Sequence, residues 1–292
     1  MIEWDSLRII LAIGRNGSLS AAARELGINH TTVSRRLASA EQQLKTRLFD
    51  RRGKQMEATQ AGVSVQIHAA RMERAVLDMN RALAAADDAM AGPLKITAPQ
   101  LLIQSHLAAI VARFAEDYPS IEIHLDASND IVSLHNRDID VALRISDTPD
   151  PSLFGRRIAR QNRCYYAARG LARTLGPDSD VPCLAFRWWG PAVPGEVLQI
   201  LPKARPGMMF DDMTAALSVL KTGAGIARLP CFVGDADPAL DRIPGFSLTR
   251  YMDVWILTHP DLKGSEKVRR FMRYAGDRIA ARKADFTGIR QN

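Results

Sequence analysis

Four short polar residues in a row, Asn29-His30-Thr31-Thr32, are followed within a turn by Ser34, Arg35 and Arg36. Hydroxyl and amide groups can bond to the donors and acceptors on base edges. A guanidinium group can take guanine O6 and N7 together. Such a row on one side of a helix suits a polyanion with hydrogen-bonding edges, which is DNA. A second cluster, Arg51, Arg52 and Lys54, surrounds Gly53. It suits phosphates or a narrow minor groove.

The surrounding pattern shows how these residues are positioned. Leu7, Ile10, Leu11 and Ile13 form the apolar stripe of a first helix, which "GRNGS" ends. Ser18 is placed to cap a second, alanine-rich helix with Leu19, Ala22, Ala23 and Leu26 inward. Gly27 ends it, Ile28 is expected to plug the turn, and Asn29 caps a third helix. Val33, Leu37, Ala40 and Leu44 make that helix's inner face, which leaves His30, Thr31, Ser34 and Arg35 outside. Two helices joined by a glycine turn make a helix-turn-helix, whose second helix enters the major groove N-terminal end first. "RLFDRRGKQMEAT" then reads as a two-stranded wing, with Leu48 and Phe49 closing the core. The expected DNA-binding residues are Ser18, Ser20, Asn29, His30, Thr31, Thr32, Ser34, Arg35, Arg36, Arg51, Arg52 and Lys54.

The stretches "GSLSAAARELGINHTTVSRRL", "AEQQL", "RLFDRR" and "ATQAG", in that order, resemble the DNA-binding head of the LysR-type transcriptional regulators. Three positions depart from the family pattern: Ala40 before Glu41, Lys45 after Leu44, and Ala58 before Thr59. The resemblance continues through "RDIDVALRI", "GAGIARLP" and "VWILTHPDLKGSEKVRRFMRYAGD". It implies a dimerising linker helix and an effector domain built like the periplasmic binding proteins.

Between Gly62 and Gly92 there is neither glycine nor proline. Val65, Ala69, Met72, Val76, Met79, Leu83, Ala86 and Met90 alternate in steps of four and three, the spacing of a heptad seam. The stripe is read as the contact between two copies of the chain, with a helix lying on its own domain as the alternative.

Beyond residue 91 strands alternate with helices, which predicts two α/β lobes with mainly parallel sheets and a cleft between them. Such sheets hold ligands at the carboxyl ends of their strands. This nominates Thr97, Pro99, Gln100, Ser128, Arg144, Ser146 and Arg228, with Pro99 as the first residue of a helix. Arg144 and free helix N–H groups favour a polar or anionic effector; an ordinary ion pair of Arg144 with Asp147 or Asp150 is the alternative. Trp188-Trp189 is read as packing, and the basic stretch after Asp261 as a solvated helix face.

The expected organisation is an α+β multidomain chain. Residues 1–62 form a winged helix-turn-helix, 63–91 the linker helix, and 92–292 the two-lobed effector domain. Lobe I is expected to hold 92–160 and 259–292, and lobe II 161–258. Net charge agrees: +4 over 1–62, −1 over 63–90, −1 over 91–260 and +5 over 261–292. A basic head on a neutral body suits DNA. No Walker loop, G-x-S-x-G or metal-spaced histidine pair is present, so no catalytic residue, metal or cofactor is expected. The odd number and wide spacing of Cys164, Cys183 and Cys231 argue against a disulfide framework and against zinc. Arg163 beside Cys164 leaves a thiol-based regulator as a rival, and an effector-independent architectural DNA binder is another. No apolar run reaches the roughly 20 residues of a membrane span, and the N-terminus lacks a signal-peptide pattern. The chain is read as a cytoplasmic regulator that binds an operator and a small molecule as a homodimer or homotetramer.

Overall fold

A computed structural model describes residues 2–52, 55–85, 90–129, 139–187, 190 and 192–289. The chain divides into two compact units, Met1–Leu83 and Ala84–Asn292.

In the first unit, α1 (Trp4–Asn16) buries Leu7 and the run from Ile9 to Ile13. It ends where Gly17 takes φ 65° and its N–H reaches the Ile13 carbonyl. α2 (Leu19–Leu26) starts at Ser18, whose Oγ accepts from Ala21 N at 3.2 Å. α3 (His30–Leu44) starts at Asn29, whose Oδ1 accepts from Thr31 N at 3.1 Å. Both caps satisfy a first-turn N–H that the helix itself leaves unpaired. Two packing expectations fail. Ile28 is 39% exposed and does not plug the turn, and Leu44, at 38%, lies one turn beyond the core contact at Ala40. Lys45 ends α3 at φ 51°, a left-handed conformation in which a side chain other than glycine is strained. The strands β1 (Phe49–Arg52) and β2 (Gln55–Ala58) pair antiparallel and form the wing.

α4 (Gln60–Ala85) changes the reading of the heptad stripe. Ala69 is fully buried in the head's own core and Val65 packs against it. Met72, Val76 and Met79 are exposed. Met90 lies outside the helix and packs on the core of the effector unit. The Leu83 side chain and Ala86 lie outside the described residues. The first half of the stripe is therefore a domain contact, and the part left exposed is Met72, Val76 and Met79.

The second unit holds two mixed sheets. Its strands are β3 (Gly92–Ala98), β4 (Ile121–Ala127), β5 (Val141–Ser146), β6 (Phe154–Ala159), β7 (Asn162–Ala168), β8 (Pro182–Phe186), β9 (Arg205–Phe210), β10 (Ile226–Pro230), β11 (Leu240–Arg242), β12 (Thr249–Arg250) and β13 (Asp253–Thr258). One sheet runs β4-β3-β5-β13-β6 and the other β11-β7-β10-β8-β9, with β12 on β7. The helices are α5 (Gln100–Leu102), continued through a π turn at Ile103–Leu107 into α6 (Ala108–Asp117), then α7 (Arg169–Ala172), α8 (Gly195–Ile200), α9 (Met213–Lys221), α10 (Cys231–Gly234), α11 (Glu266–Ala281) and α12 (Lys283–Thr287).

Two expectations are corrected. β13 pairs with β5 and β6, so 253–258 belongs to the first lobe and not the second. The sheets are mixed, not mainly parallel. β7 runs antiparallel to β10, and β13 antiparallel to β5. The chain crosses from lobe to lobe through β6 and β7 and returns through β13, and a returning strand must run against those beside it. The helix expected in "IVSLHNRD" lies outside the described residues. The first lobe's core centres on Phe114, fully buried and edge-on to Phe271 at 5.1 Å.

Candidate DNA interface and effector cleft

α3 presents His30, Thr31, Ser34 and Arg35 to solvent along one face, with Thr32 half-buried behind them. The opposite face is fixed by Val33, Leu37 and Ala40, each no more than 6% exposed. Arg35 makes no ion pair among the described residues. Arg36 is turned away and meets Asp5 at 2.9 Å, a contact that holds the Asp5 carboxyl below its ordinary range. Ser18 and Asn29 are occupied as helix caps, while Ser20 is exposed. Arg51 and Arg52 are exposed on the wing, Arg52 paired with Glu57 at 3.0 Å. Lys54 lies outside the described residues.

One residue that holds this surface together was missed in the sequence. The Glu41 Oε1 accepts from the backbone N–H of Leu48 at 2.7 Å and of Phe49 at 3.3 Å. It thereby fixes the start of the wing to α3. Thr59 completes the joint: its Oγ1 donates to the Arg47 carbonyl at 2.8 Å and accepts from Gly62 N at 3.0 Å. Nothing in the spacing of Glu41 announces a contact seven residues away.

In the second unit a cavity of about 380 Å³ opens between the lobes. The first lobe contributes Pro99, Leu101, Arg144 and Ile145, the second Met213, Thr214, Pro230 and Phe232, and the returning segment Tyr251 and Met252. Asn129 and Asp211 add polar groups to its lining. The Arg144 guanidinium is held in place by bonds to Thr97 Oγ1 at 3.1 Å and to the Leu143 carbonyl at 2.8 Å. Thr97 is 3% exposed and serves as this support from behind. Asp212 caps α9, accepting from Ala215 N at 2.9 Å, and so presents the helix's first residues to the cavity. Burial raises the Tyr251 phenol above its ordinary pKa and keeps it a neutral donor.

Of the expected effector residues, Pro99 and Arg144 line this cavity. Pro99, at φ −56° and ψ 137°, is extended and caps α5; it is not the first helical residue. Gln100, Ser128 and Ser146 do not line it. Ser128 N bonds to the Ala98 carbonyl at 3.0 Å, and the Ser146 carbonyl accepts from Trp255 Nε1 at 3.1 Å. Arg228 is a correction: two residues short of the strand end at Pro230, it meets Glu196 at 3.1 Å and faces a small recess within the second lobe. Tyr251, Met252 and Phe232 were not foreseen, because two of them sit between strands and the third on a four-residue helix.

The two regions can be set beside known proteins. Residues 4–63 match the model of the bacterial regulatory helix-turn-helix proteins of the lysR family, and residues 87–280 match that of the LysR substrate binding domain. The chain belongs to the LysR family of transcriptional regulators. It is 28% identical over 189 residues to the transcriptional regulator DmlR of Escherichia coli K12, a match that spans 63% of this chain and 62% of DmlR. Over 288 residues it is 25% identical to the mau operon transcriptional activator of Paracoccus denitrificans, covering 96% and 97% of the two chains. The full-length structure of AphB, a virulence activator of Vibrio cholerae, superposes with a TM-score of 0.63 at 21% identity, covering 94% of this chain and 98% of that one. The family is one of regulators and not of enzymes. No helix among the described residues is long and apolar enough to cross a membrane.

The geometry of this LysR-type chain also bears on the thiol-based rival. All three cysteines are buried, and burial pushes Cys164 up and Cys183 and Cys231 to about 11. The native thiols are therefore expected to resist iodoacetamide at about pH 8 and to label only on unfolding, because the thiolate is the reactive form. Mass spectrometry checks this. Rapid labelling of Cys164 in the folded protein would restore the redox reading.

Proposed function

We propose that this regulator binds its operator through the outer face of α3, with the wing on adjacent phosphates, and that a small effector between the lobes adjusts that binding. His30, Thr31, Ser34 and Arg35 read base edges; Arg51, Arg52 and Lys54 contact the backbone. The assembly is a homodimer or homotetramer, with the exposed Met72, Val76 and Met79 of α4 as part of its contact, and it works in the cytoplasm, where its DNA is.

The effector is amphipathic, with one anionic end. A single observation carries this: Arg144 sits in a cavity otherwise walled largely by Leu101, Ile145, Met213, Pro230 and Phe232. The guanidinium suits a carboxylate, and the apolar walls suit the rest of such a molecule. In a thermal-shift screen, aromatic and aliphatic carboxylates should stabilise the protein more than their amides. A charge-assisted bond is worth roughly 1.5–3 kcal/mol, so Arg144→Met should weaken the best of them about tenfold or more in calorimetry. Effector-free DNA binding should be unchanged. Equal affinities for the two proteins would remove Arg144 from the site, and a wholly apolar effector would overturn the charge argument.

A further inference from the structure

At the far end of the first sheet from the effector cleft, where β3 and β5 begin, lies a separate cavity of about 120 Å³. Its walls include Lys95, Asp140, Leu262, Ser265 and Lys267. Three features place donors on its walls. Ser265 stands at the N-cap of α11, a helix of 16 residues, yet its side chain makes no capping bond. The residue is 0% exposed, and its hydroxyl has no hydrogen-bond partner among the described residues. A buried polar group left in that state costs free energy.

Lys267, in the first turn, is 8% exposed. Its ammonium donates to the Ala91 carbonyl at 3.3 Å and makes no ion pair among the described residues. The third feature is the helix itself. Its first intrahelical bond runs from Arg269 N to the Ser265 carbonyl, which leaves the N–H groups of the preceding turn and the positive dipole end at the same place. The acidic group on the wall, Asp140, is engaged by Lys95 N at 2.8 Å.

We propose that this cavity holds a small inorganic oxyanion of the phosphate or sulfate class, bound by the Ser265 hydroxyl, the Lys267 ammonium and the first-turn N–H groups of α11. A water molecule could satisfy the hydroxyl but brings no charge to the Lys267 ammonium, which makes no ion pair among the described residues. The space, about 120 Å³, is well below the roughly 300 Å³ at which pockets for larger ligands begin, so it suits a small anion better than the body of an organic phosphate. The site also has a structural consequence. A Cβ at Gly92 would lie 3.8 Å from Lys267 Nζ, so the ammonium rests against the Ala91–Gly92 turn. An anion there joins the start of α11 to the point where the chain enters β3.

Calorimetry of the full-length protein with sodium sulfate, sodium phosphate and phenyl phosphate, against sodium chloride at matched ionic strength, tests this. Sulfate stabilises proteins in general by exclusion from their surfaces, and the DNA-binding head also attracts anions, so the comparison between variants is the readout. Wild type should show a saturable site for sulfate and phosphate that phenyl phosphate fills more weakly. Lys267→Met should weaken it about tenfold or more, and Ser265→Ala severalfold. Without anion, Ser265→Ala should melt no lower than wild type, since it removes an unpartnered hydroxyl; this keeps the test valid if Lys267→Met folds poorly. Identical anion binding by wild type and Ser265→Ala, the absence of any saturable site, or filling by phenyl phosphate alone would overturn the proposal.

Discussion

Replacing Gly62 with alanine is expected to unfold the DNA-binding unit while the effector unit stays folded. Helix propensity alone argues the opposite, since alanine is favoured over glycine inside a helix by about 1 kcal/mol. Packing decides the sign. A Cβ at residue 62 would lie 1.9 Å from the Leu48 carbonyl oxygen and 2.9 Å from its carbon. That backbone cannot step aside. Its N–H is held by Glu41, its carbonyl accepts from Thr59 N at 3.0 Å, and the Leu48 side chain is fully buried. Overpacking costs roughly 1–3 kcal/mol and sometimes more; a clash with fixed backbone belongs at or beyond the upper end. Calorimetry of Gly62→Ala should show the transition of the first unit lowered or lost, that of the second unchanged, and operator binding abolished. Two transitions at wild-type temperatures would mean that α4 does not pack on Leu48 as described.

Arg35→Ala should weaken operator binding by about 1–3 kcal/mol and relax preference at the base it reads, the usual cost of losing a bidentate contact. Arg51→Ala should instead weaken all sequences alike and reduce the salt dependence by about one counterion. The two arginines differ in placement. Arg35 is on the exposed face of a rigid helix whose other side is anchored by Val33, Leu37 and Ala40, while Arg51 is on a wing strand. Titrations against operator and scrambled DNA over a range of salt separate the two. If the two variants lost affinity in the same way on both DNAs, α3 would not be the reading element.

What was legible in the sequence was local. Ser18 and Asn29 cap helices by reaching two or three residues ahead, so the residue type and the following apolar period suffice to place them. The wing follows from Leu48, Phe49 and the basic turn because a hairpin closes over a few residues. What was illegible depended on distant pairings. A stripe at Val65, Ala69, Met72 and Val76 has the same period whether it meets a partner or its own domain, and only the fold shows that its first half serves the head. β13 follows the second lobe in sequence but pairs with β5, more than a hundred residues earlier. Strand-end reasoning nominated Pro99 and Arg144, and both line the cavity. It also nominated Arg228, which does not line it, because of β10 only the last residue, Pro230, is on the cavity wall.

The central claim is that this chain reads DNA sequence through α3. Selection of bound duplexes from a random pool by the full-length protein tests it most directly. The account predicts enrichment of a defined motif, with two related half-sites if the protein binds as a dimer, and loss of preference at specific positions when Arg35→Ala is used. Recovery of unselected sequence, with equal affinity for pool and product at every salt concentration, would contradict it.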